Sequence, residues 1–515
     1  MKPDMQPTLD DRVELAIKDP FLKRSLAVAQ ERFRMNKANA AEVLGNIEEW
    51  RERAEAIRTH TVAHLDAYLD QFSTNVEKNG GKVFFAESDE DVVQYILDLA
   101  KAKNAKTVIK AKSMVSEEIH LNHRLAEIGV EAIESDLGEY IIQLAGETPS
   151  HIIVPAIHKN RKQVAELFSR VSGTPLPEDT KELTRYARTV LRDKFQNADI
   201  GLSGCNFAVA ESGSVVLVSN EGNARLSTSI PKTHVVLMGM ERIVPGWEEL
   251  DTVLSLLPRS ATGQKVTSYV TAITGPRKSD DVDGPEELHV IIVDNGRSNA
   301  LGTEYQKILN CIRCGACLNV CPVYRHIGGH AYGSVYPGPI GAVLTPILKG
   351  FESWEKLPYL SSLCGACTDA CPVRIPLHDY LLELRKDEVE EKRTHPVERA
   401  IFKGFGTAMA NPWMYRTGLK LAKYGLKPLS KDGYIRKGPS LLGKWTKARD
   451  LPAPPMESFR EWWGREGQSE SGGLSGGASG GASDKTAGGN SGGASGGPAR
   501  GPEQNMPKGE GSDGV

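Results

Sequence analysis

The feature that most constrains this chain is a pair of short cysteine-rich runs, each ending in proline. The first run, CIRCGACLNVCP, has four cysteines in a C-x2-C-x2-C-x3-C-P pattern: Cys311, Cys314, Cys317 and Cys321. The second run, LCGACTDACP, repeats the last two spacings with three cysteines: Cys364, Cys367 and Cys371. Only one of the chain's 8 cysteines lies elsewhere. In a large chain such clustering indicates metal ligation and not disulfide bonding.

The spacing of these thiols is typical of two cubane iron–sulfur clusters. Two-residue gaps let three thiolates wrap one cluster, and in two-cluster ferredoxins the fourth cysteine of the run ligates the other cluster. The crossed pattern assigns one cluster to Cys311, Cys314, Cys317 and Cys371. It assigns the other cluster to Cys321, Cys364 and Cys367.

The second cluster has only three cysteines in this assignment, because Ser361 stands at the position that corresponds to Cys311. Three alternatives remain open: Ser361 or an exogenous group holds the fourth iron, the site carries a three-iron cluster, or a cubane has one labile corner. Serine ligation is the least favoured. Zinc is the competing interpretation, but zinc sites with four cysteines usually consist of two separated C-x2-C pairs. The spacing therefore favours iron and sulfur.

Composition excludes several other functional classes. Charged residues make up 25% of the 515 residues and the net charge is −3, which argues against a nucleic-acid binder with a basic surface. No apolar run approaches the roughly 18–20 residues of a membrane-spanning helix. The start of the chain, MKPDMQPTLDDRVELAI, lacks the basic and apolar segments of a secretory signal. We therefore expect a cytoplasmic protein.

Changes in residue pattern divide the chain into five predicted regions. They are a helical N-terminal region (1–75), an α/β domain (76–296), a helical two-cluster ferredoxin-like domain (297–396), a helical C-terminal region that is basic and aromatic (397–463) and a disordered Gly/Ser-rich tail (464–515). The tail contains too few apolar residues to offset the chain entropy lost on folding.

The α/β prediction depends on strand-like and helix-like segments that alternate after Lys82, such as KVFFAES and KTVIKAK. Such alternation predicts parallel strands with helical crossovers. Ser88, with Asp91 three residues later, predicts the start of the first crossover helix. Further strands, including HVVLMG and LHVIIVDNG, follow without long helices between them, so we expect a mixed sheet that ends near Asp294.

Several residues outside the cysteine runs are weaker candidates for a functional site. Cys205 is favoured as a small buried side chain over a reactive thiol. The stretch SGCNFAVAESGSVVLVSNEGN is rich in Gly, Ser and Asn, and it fits hairpin turns as well as backbone amides that receive a phosphate or carboxylate. Glu211 could serve as an acid, base or nucleophile, but a solvated turn carboxylate is supported at least equally.

Other polar residues are assigned ordinary roles. Glu139, His151 and His158 could enter a cleft, although single histidines are more often core or surface residues, and no metal site is predicted from them. His326 and His330 follow the first cysteine run. They could form hydrogen bonds near a cluster, but exposed loop positions are the favoured interpretation.

With these residues in view, the chain resembles the lactate utilization protein B family of bacterial iron–sulfur proteins over about residues 10–460. The stretches that carry the resemblance include DLGEYIIQLAGETPSHIIVPAIHKNR, ESGSVVLVSNEGNARLSTSIPKTHVVLMGMERIVP and both cysteine runs. In that family the second run ordinarily has three cysteines. The resemblance implies the same two ligand sets as above and a middle domain similar in fold to ribose-5-phosphate isomerases, glucosamine-6-phosphate deaminases and coenzyme A transferases.

The resemblance also implies a role in the oxidation of L-lactate to pyruvate, which allows growth on lactate. Two companion proteins are implied: a subunit with repeated Cys-Cys-Gly motifs and a smaller protein that shares the α/β domain. The family supplies no catalytic residue to transfer to this chain.

The leading hypothesis is an electron-relay subunit, an oxidoreductase component that acts with its partners. No G-x-G-x-x-G follows a predicted strand, so hydride chemistry within this chain alone is not expected. A second hypothesis makes the middle domain the catalytic site, with an open cluster iron as Lewis acid. A third is a regulatory protein that senses redox state and binds a small acid. A transferase or isomerase activity inherited with the fold is the weakest hypothesis.

Overall fold

A computed structural model of the chain describes residues 7–447 and 449–467. It consists of two compact units, of which the first ends at Arg399 and the second begins at Ala400. Most of the predicted Gly/Ser-rich tail lies outside the described residues. None of the described helices is long and apolar enough to cross a membrane.

The N-terminal region is helical, as predicted, and the first unit begins with four helices, more than the two or three that the periodicity predicts. They are α1 (Leu9–Ile17), α2 (Pro20–Leu44), α3 (Ile47–Ala63) and α4 (Leu65–Lys78). Asp19 caps α2 by accepting the backbone N–H groups of Phe21 and Leu22, and Pro20 occupies the first helical position. Both features favour a helix start here, since proline lacks only an N–H that would have no intrahelical partner.

An α/β region follows. Its strands are β1 (Lys82–Ala86), β2 (Thr107–Lys110), β3 (Glu131–Glu134), β4 (Ile200–Ser203), β5 (Phe207–Val209), β6 (Ser214–Ser219), β7 (Thr233–Gly239), β8 (Ile243–Val244), β9 (Tyr269–Ile273) and β10 (Glu287–Val293). Its helices are α5 (Asp89–Ala102), α6 (Met114–Glu118), α7 (Leu121–Glu127), α8 (Leu137–Ala145), α9 (Arg161–Ser172), α10 (Thr180–Asn197), α11 (Asn223–Ser229) and α12 (Trp247–Ala261). Ser88 caps α5 in a reciprocal capping box with Asp91, which confirms the predicted helix start.

The strands form two sheets. Six strands pair in the order β1-β10-β7-β4-β2-β3, and every pair is parallel. Four others form a mixed sheet in the order β8-β5-β6-β9. The prediction of parallel pairing with helical crossovers is confirmed, but the later strands divide between both sheets instead of extending one mixed sheet. β7 is buried at all seven residues, so the six-stranded sheet is covered on both faces there.

The cysteine region is built from short helices: α13 (Ala316–Val320), α14 (Pro322–Ile327), α15 (Gly338–Lys349), α16 (Ala366–Ala370) and α17 (Leu377–Glu390). Its largest hydrophobic core is shared with the N-terminal helices, the mixed sheet and α12. Leu26 of α2 and Val253 of α12, for example, are fully buried in the same core as Leu318. The cysteine region therefore packs as part of the first unit.

Helix α18 (Pro396–Ala410) spans the boundary between the units. The second unit continues with α19 (Pro412–Leu426), β11 (Tyr434–Ile435), α20 (Ser440–Thr446), β12 (Leu451–Pro452) and α21 (Phe459–Trp462). Strands β11 and β12 pair antiparallel. Large apolar side chains such as Phe402, Trp413 and Tyr424 are exposed. The region is helical, as its residue pattern predicts.

Candidate iron–sulfur centre

The two cysteine runs have the same local backbone. In each run the residue before the C-x2-C pair and the glycine within it have positive φ: Arg313 (57°) and Gly315 (74°) in the first, Leu363 (54°) and Gly365 (79°) in the second. Each glycine precedes one short helix, α13 or α16, and these two helices pack against each other. The repeated spacing in the sequence thus corresponds to a repeated backbone structure. In each run, glycine permits a left-handed turn immediately before the short helix.

Four cysteines line one cavity: Cys311, Cys314, Cys317 and Cys371. Backbone N–H groups point at two of the sulfurs, from Arg313 to Sγ of Cys311 and from Ile375 to Sγ of Cys371, each at 3.4 Å. Burial raises the pKa of Cys314 to about 12, and the charges of Cys371 and Cys311 also raise it. Bound metal lowers the pKa of its thiol ligands and removes this repulsion. The donor set and the N–H···S bonds fit an iron–sulfur cluster.

The remaining three cysteines of the runs form a second group: Cys321, Cys364 and Cys367. Burial raises the pKa of Cys367 to about 12, and the nearby Cys321 and Cys364 act in the same direction. The backbone N–H of Tyr324 donates to Sγ of Cys321 at 3.4 Å. Cys364 is exposed, whereas Cys321 and Cys367 are buried. A cluster held by these thiols would have one side near solvent.

The position of Ser361 does not show whether its hydroxyl is the fourth ligand of the second cluster. Its hydroxyl oxygen accepts the backbone N–H of Leu363 at 3.1 Å. Within the described residues, no group of three or more His, Cys, Asp or Glu side chains is arranged to hold a single metal ion. All eight cysteines are free thiols.

Helices α2 and α3 cover both cysteine groups, which the sequence analysis did not anticipate. Gln30 donates its side-chain amide to the carbonyls of Leu318 and Cys321 at 2.7 and 3.1 Å. Arg51 donates Nε to the carbonyl of Cys371 at 3.1 Å. Lys37 donates to the carbonyl of Ala370 and is close enough for the thiolate charges to raise its pKa against the larger lowering effect of burial. The sequence signal that could have predicted this cover is the presence of Gln30, Lys37 and Arg51 on otherwise ordinary amphipathic helices.

Next to the four-cysteine cavity lies a larger cleft of about 380 Å³. Its walls come from the segments after β2, β4 and β7, from the Gly/Ser/Asn-rich stretch and from Arg313. Cys205 lines the cleft and is half-buried, not fully buried as favoured from the sequence. Burial raises the pKa of this thiol to about 12, which disfavours a reactive thiolate. Ile152 and Arg313 line both cavities, so the cleft adjoins the first cysteine group.

A buried network of charges supports the wall between them. Arg297 pairs with Glu118 and with Glu241, each at 2.9 Å. Arg313 pairs with Glu241 at 3.1 Å, and the hydroxyl of Tyr336 donates to Glu118 at 2.6 Å. Burial favours the neutral form of Glu241, but the arginine charges outweigh it and hold its pKa at about 2. Residue patterns did not reveal this network, because its members are far apart in the chain.

The weaker candidates have structural partners. Glu211 is exposed and accepts the backbone N–H of Trp247 at the start of α12. Nδ1 of His151 accepts the N–H of Ile153 at 3.0 Å, so its Nε2 donates to Asn319, and burial lowers its pKa to about 4. Glu139 is buried 3.7 Å from Lys112, and burial raises its pKa to about 8.

The other candidate histidines, His158, His326 and His330, also have hydrogen-bond partners. Nε2 of His158 contacts the Glu147 carboxylate at 2.7 Å, and its ring lies edge-on to that of His330. His330 donates to the carbonyl of Thr148, and His326 donates to the carbonyl of Pro322. Both His326 and His330 are exposed, as favoured above.

Comparison with known proteins gives three family matches along the chain. Residues 69–293 match the LUD domain, residues 307–375 the 4Fe-4S dicluster domain and residues 385–468 the C-terminal domain of lactate utilisation protein B. The dicluster match covers both cysteine runs. The chain therefore carries two 4Fe-4S clusters.

Relatives match over most of the chain. Lactate utilization protein B of Shouchella clausii is 57% identical over 88% of this chain and 95% of its own length. The protein of the same name from Oceanobacillus iheyensis is 52% identical over 89% and 96%. Among solved structures, a DUF162 family protein of Deinococcus radiodurans matches 44% of this chain and 98% of its own length. The sequence identity is 17% and the TM-score is 0.26. The chain belongs to the lactate utilization protein B family, and it is an iron–sulfur protein of lactate utilization.

Proposed function

We propose that this chain is the electron-relay subunit of a multi-protein system that oxidises L-lactate to pyruvate. Each lactate releases two electrons and two protons, whereas one cluster accepts one electron at a time. The supporting observation is the direct packing of α13 on α16, which brings the two cysteine groups side by side in one core. Two adjacent one-electron carriers can accept the pair in sequence.

The proposed ligands follow the crossed pattern. Cys311, Cys314, Cys317 and Cys371 hold the first cluster, and their common cavity supports this assignment. Cys321, Cys364 and Cys367 hold the second, supported by the mutual effect of these thiols on the pKa of Cys367. The exposed Cys364 makes the second cluster the exit point for electrons, because exposure shortens the path to an acceptor docked on the surface.

The proposed partners are a subunit with Cys-Cys-Gly motifs and a smaller protein with the same α/β domain. A cytoplasmic location suits eight cysteines that form no disulfide bond, since that compartment is reducing. The middle domain has the isomerase and coenzyme A transferase type of fold, and its parallel sheet with helical crossovers is compatible with this.

The test is anaerobic electron paramagnetic resonance of the chain mixed with its two partners. Addition of L-lactate should give the signal of reduced clusters, and Cys314→Ser should abolish lactate-driven electron flow to the acceptor. Full electron flow in that variant, with one cluster missing, would refute the relay. If lactate perturbs the second cluster's spectrum in the isolated chain, the Lewis-acid role of an open iron replaces the simple relay.

A further inference from the structure

The cleft beside the first cysteine group lies where parallel α/β sheets commonly bind ligands. Within the six-stranded sheet, the next strand along the chain after β2 is β3, its neighbour on one side, whereas the next strand after β4 is β7, its neighbour on the other side. The chain thus leaves the sheet in opposite directions at the adjacent strands β2 and β4. Ligands bind outside the carboxyl ends of strands at such a switch point, because the connecting loops diverge there and leave a crevice. Residues Lys112 and Gly204, just after these two strands, line the cleft.

One wall of the cleft is cationic and contains an unused hydrogen-bond donor. Arg313 is 7% exposed, its guanidinium carbon lies 4.9 Å from the centre of the Tyr336 ring, and one of its nitrogens bonds Glu241. Its Nη1 is buried and has no hydrogen-bond partner among the described residues. A buried charged donor without a partner is costly, so an acceptor in the cleft would be favoured here.

Arg242 adds a second charge to the same wall. It follows β7, lines the cleft and donates Nη1 to the carbonyl of Cys311 at 3.4 Å. Burial lowers the pKa of Arg242, and the charge of Arg313 also lowers it, so the two guanidinium groups repel each other. Both arginines share the Glu241 carboxylate, at 3.9 Å from Arg242 and 3.1 Å from Arg313. Planar guanidinium groups bind carboxylates through paired hydrogen bonds, so a ligand carboxylate would reduce the repulsion that remains.

The acidic residues of the cleft do not neutralise this wall. The single Glu241 carboxylate is shared among Arg297, Arg313 and, at 3.9 Å, Arg242, and Asp136 caps α8. Burial raises the pKa of Glu221, which favours its neutral form. The rest of the lining includes apolar and amide side chains, such as Met114, Leu217 and Asn206. A cleft of this size, lined by guanidinium groups together with apolar and amide side chains, suits a small organic acid.

We propose that this cleft binds a small carboxylate, anchored by Arg242 and Arg313 with Lys112 at the rim, directly beside the first cluster. That the ligand is a 2-hydroxy acid or its 2-oxo product rests on the function proposed above. The carboxylate would then lie near Cys311, since Arg313 is two residues from it in the chain and donates its backbone N–H to that sulfur at 3.4 Å. Substrate and electron acceptor would share one wall.

The competing role for the arginines is to balance the negative charge of the cluster, without any ligand. Arg242, Arg297 and Arg313 line the cleft, and the carboxylates paired with them are those of Glu118 and Glu241. Arg58 lies behind the cleft and donates to the carbonyl of Glu241. Both roles explain a cationic surplus. The two roles differ in one expected result. Only ligand binding predicts that substitution of Arg242 or Lys112 weakens affinity for a carboxylate while the clusters stay intact.

The experiment is isothermal titration calorimetry of the anaerobic, cluster-loaded full chain with L-lactate and, separately, with pyruvate. We expect saturable binding of at least one of them by the parent protein. Arg242→Gln and Lys112→Met should each weaken it by about tenfold or more, since a charge-assisted hydrogen bond to a carboxylate contributes roughly 1.5–3 kcal/mol. The matched control is Arg277→Gln, which removes an exposed arginine paired with Glu286 and should leave binding unchanged.

Iron content and the visible spectrum of each variant show whether the clusters are intact. Lys112→Met keeps the test decisive if Arg242→Gln disturbs the loop of Cys311, because Lys112 follows β2, where it bonds the carbonyl of Ile153 and lies 3.7 Å from Glu139. Unchanged affinity in Lys112→Met and Arg242→Gln with intact clusters would overturn the site, as would no binding by the parent protein. Carboxylate binding without lactate-driven cluster reduction would instead refute only the proposed relay function.

Discussion

Cys371 and Cys311 line the same cavity, although they belong to different cysteine runs. Each sulfur accepts a backbone N–H at 3.4 Å, from Ile375 and Arg313 respectively. The last cysteine of the second run therefore faces the first three of the first run. This crossing makes the two clusters separable by mutation, because one substitution in the second run should affect the first cluster.

Cys371→Ser should remove the first cluster and leave the second. Iron content should fall from about eight to about four atoms per chain, given four iron atoms in each cluster. Cys364→Ser is the matched comparison, and it should affect only the second cluster. Electron paramagnetic resonance of the reduced proteins distinguishes the two centres. If both variants lose the same signal, the crossed ligand assignment is wrong.

Lys37→Met should lower the reduction potential of the first cluster. The ammonium group lies near the thiolates of Cys314 and Cys371, and a positive charge stabilises the more negative, reduced cluster. We expect a decrease on the order of tens of millivolts, measured by redox titration followed by electron paramagnetic resonance. Lys23→Met changes an exposed lysine on the same helix α2 and should leave the potential unaltered. An equal shift in both variants would contradict a local effect of Lys37.

Glu241→Gln should destabilise the first unit strongly. The carboxylate pairs with Arg297 and Arg313, so its loss leaves two buried guanidinium groups undercompensated. Breaking a buried ion pair typically costs about 3–5 kcal/mol of unfolding free energy. Anaerobic urea unfolding should therefore show a lower midpoint. Glu286→Gln breaks an exposed pair with Arg277 and should change stability by about 1 kcal/mol or less.

The same carboxylate predicts acid sensitivity. The pKa of Glu241 is about 2 in the folded protein, below its ordinary value of 4.5. Its contribution to stability is therefore present above about pH 4.5 and is lost as the pH falls toward 2. Glu241→Gln should reduce the loss of stability over this range. An identical acid dependence in parent and variant would show that other carboxylates dominate.

Glu139→Gln should stabilise the protein at alkaline pH. Burial raises the pKa of Glu139 to about 8, so the folded state holds a proton that the unfolded state releases above about pH 4.5. The stability of the parent therefore falls between these values as the pH rises. At about pH 8 the variant should be more stable by roughly 1–3 kcal/mol, and the difference should vanish near pH 4.5.

Unfolding midpoints at several pH values measure this effect. Glu182→Gln, which removes an exposed carboxylate paired with Arg185 on α10, should leave the pH dependence of the parent unchanged. Parallel pH profiles for the parent and Glu139→Gln would show that Glu139 ionises normally in the folded protein.

The local elements were accessible from the sequence, whereas their partners were not. Ser88 and Asp91 identify the start of α5, because a capping box depends only on residues within one turn. The strands from β7 onward were also recognised, but their division between two sheets was not. Pairing of β7 with β4 and β10 joins segments far apart in the chain, and residue patterns carry no information about such partners.

The sequence by itself determined the cofactor, because two C-x2-C runs with following prolines restrict the thiols to cluster-binding loops and because Gly315 and Gly365 permit the left-handed turns that those loops require. Tertiary structure alone decided what surrounds them. Long-range packing places Lys37 and Arg51 over the clusters, and it brings Arg242 from the end of β7 to the carbonyl of Cys311. Burial then turns these ordinary surface residue types into strong electrostatic groups, since charges interact more strongly away from water.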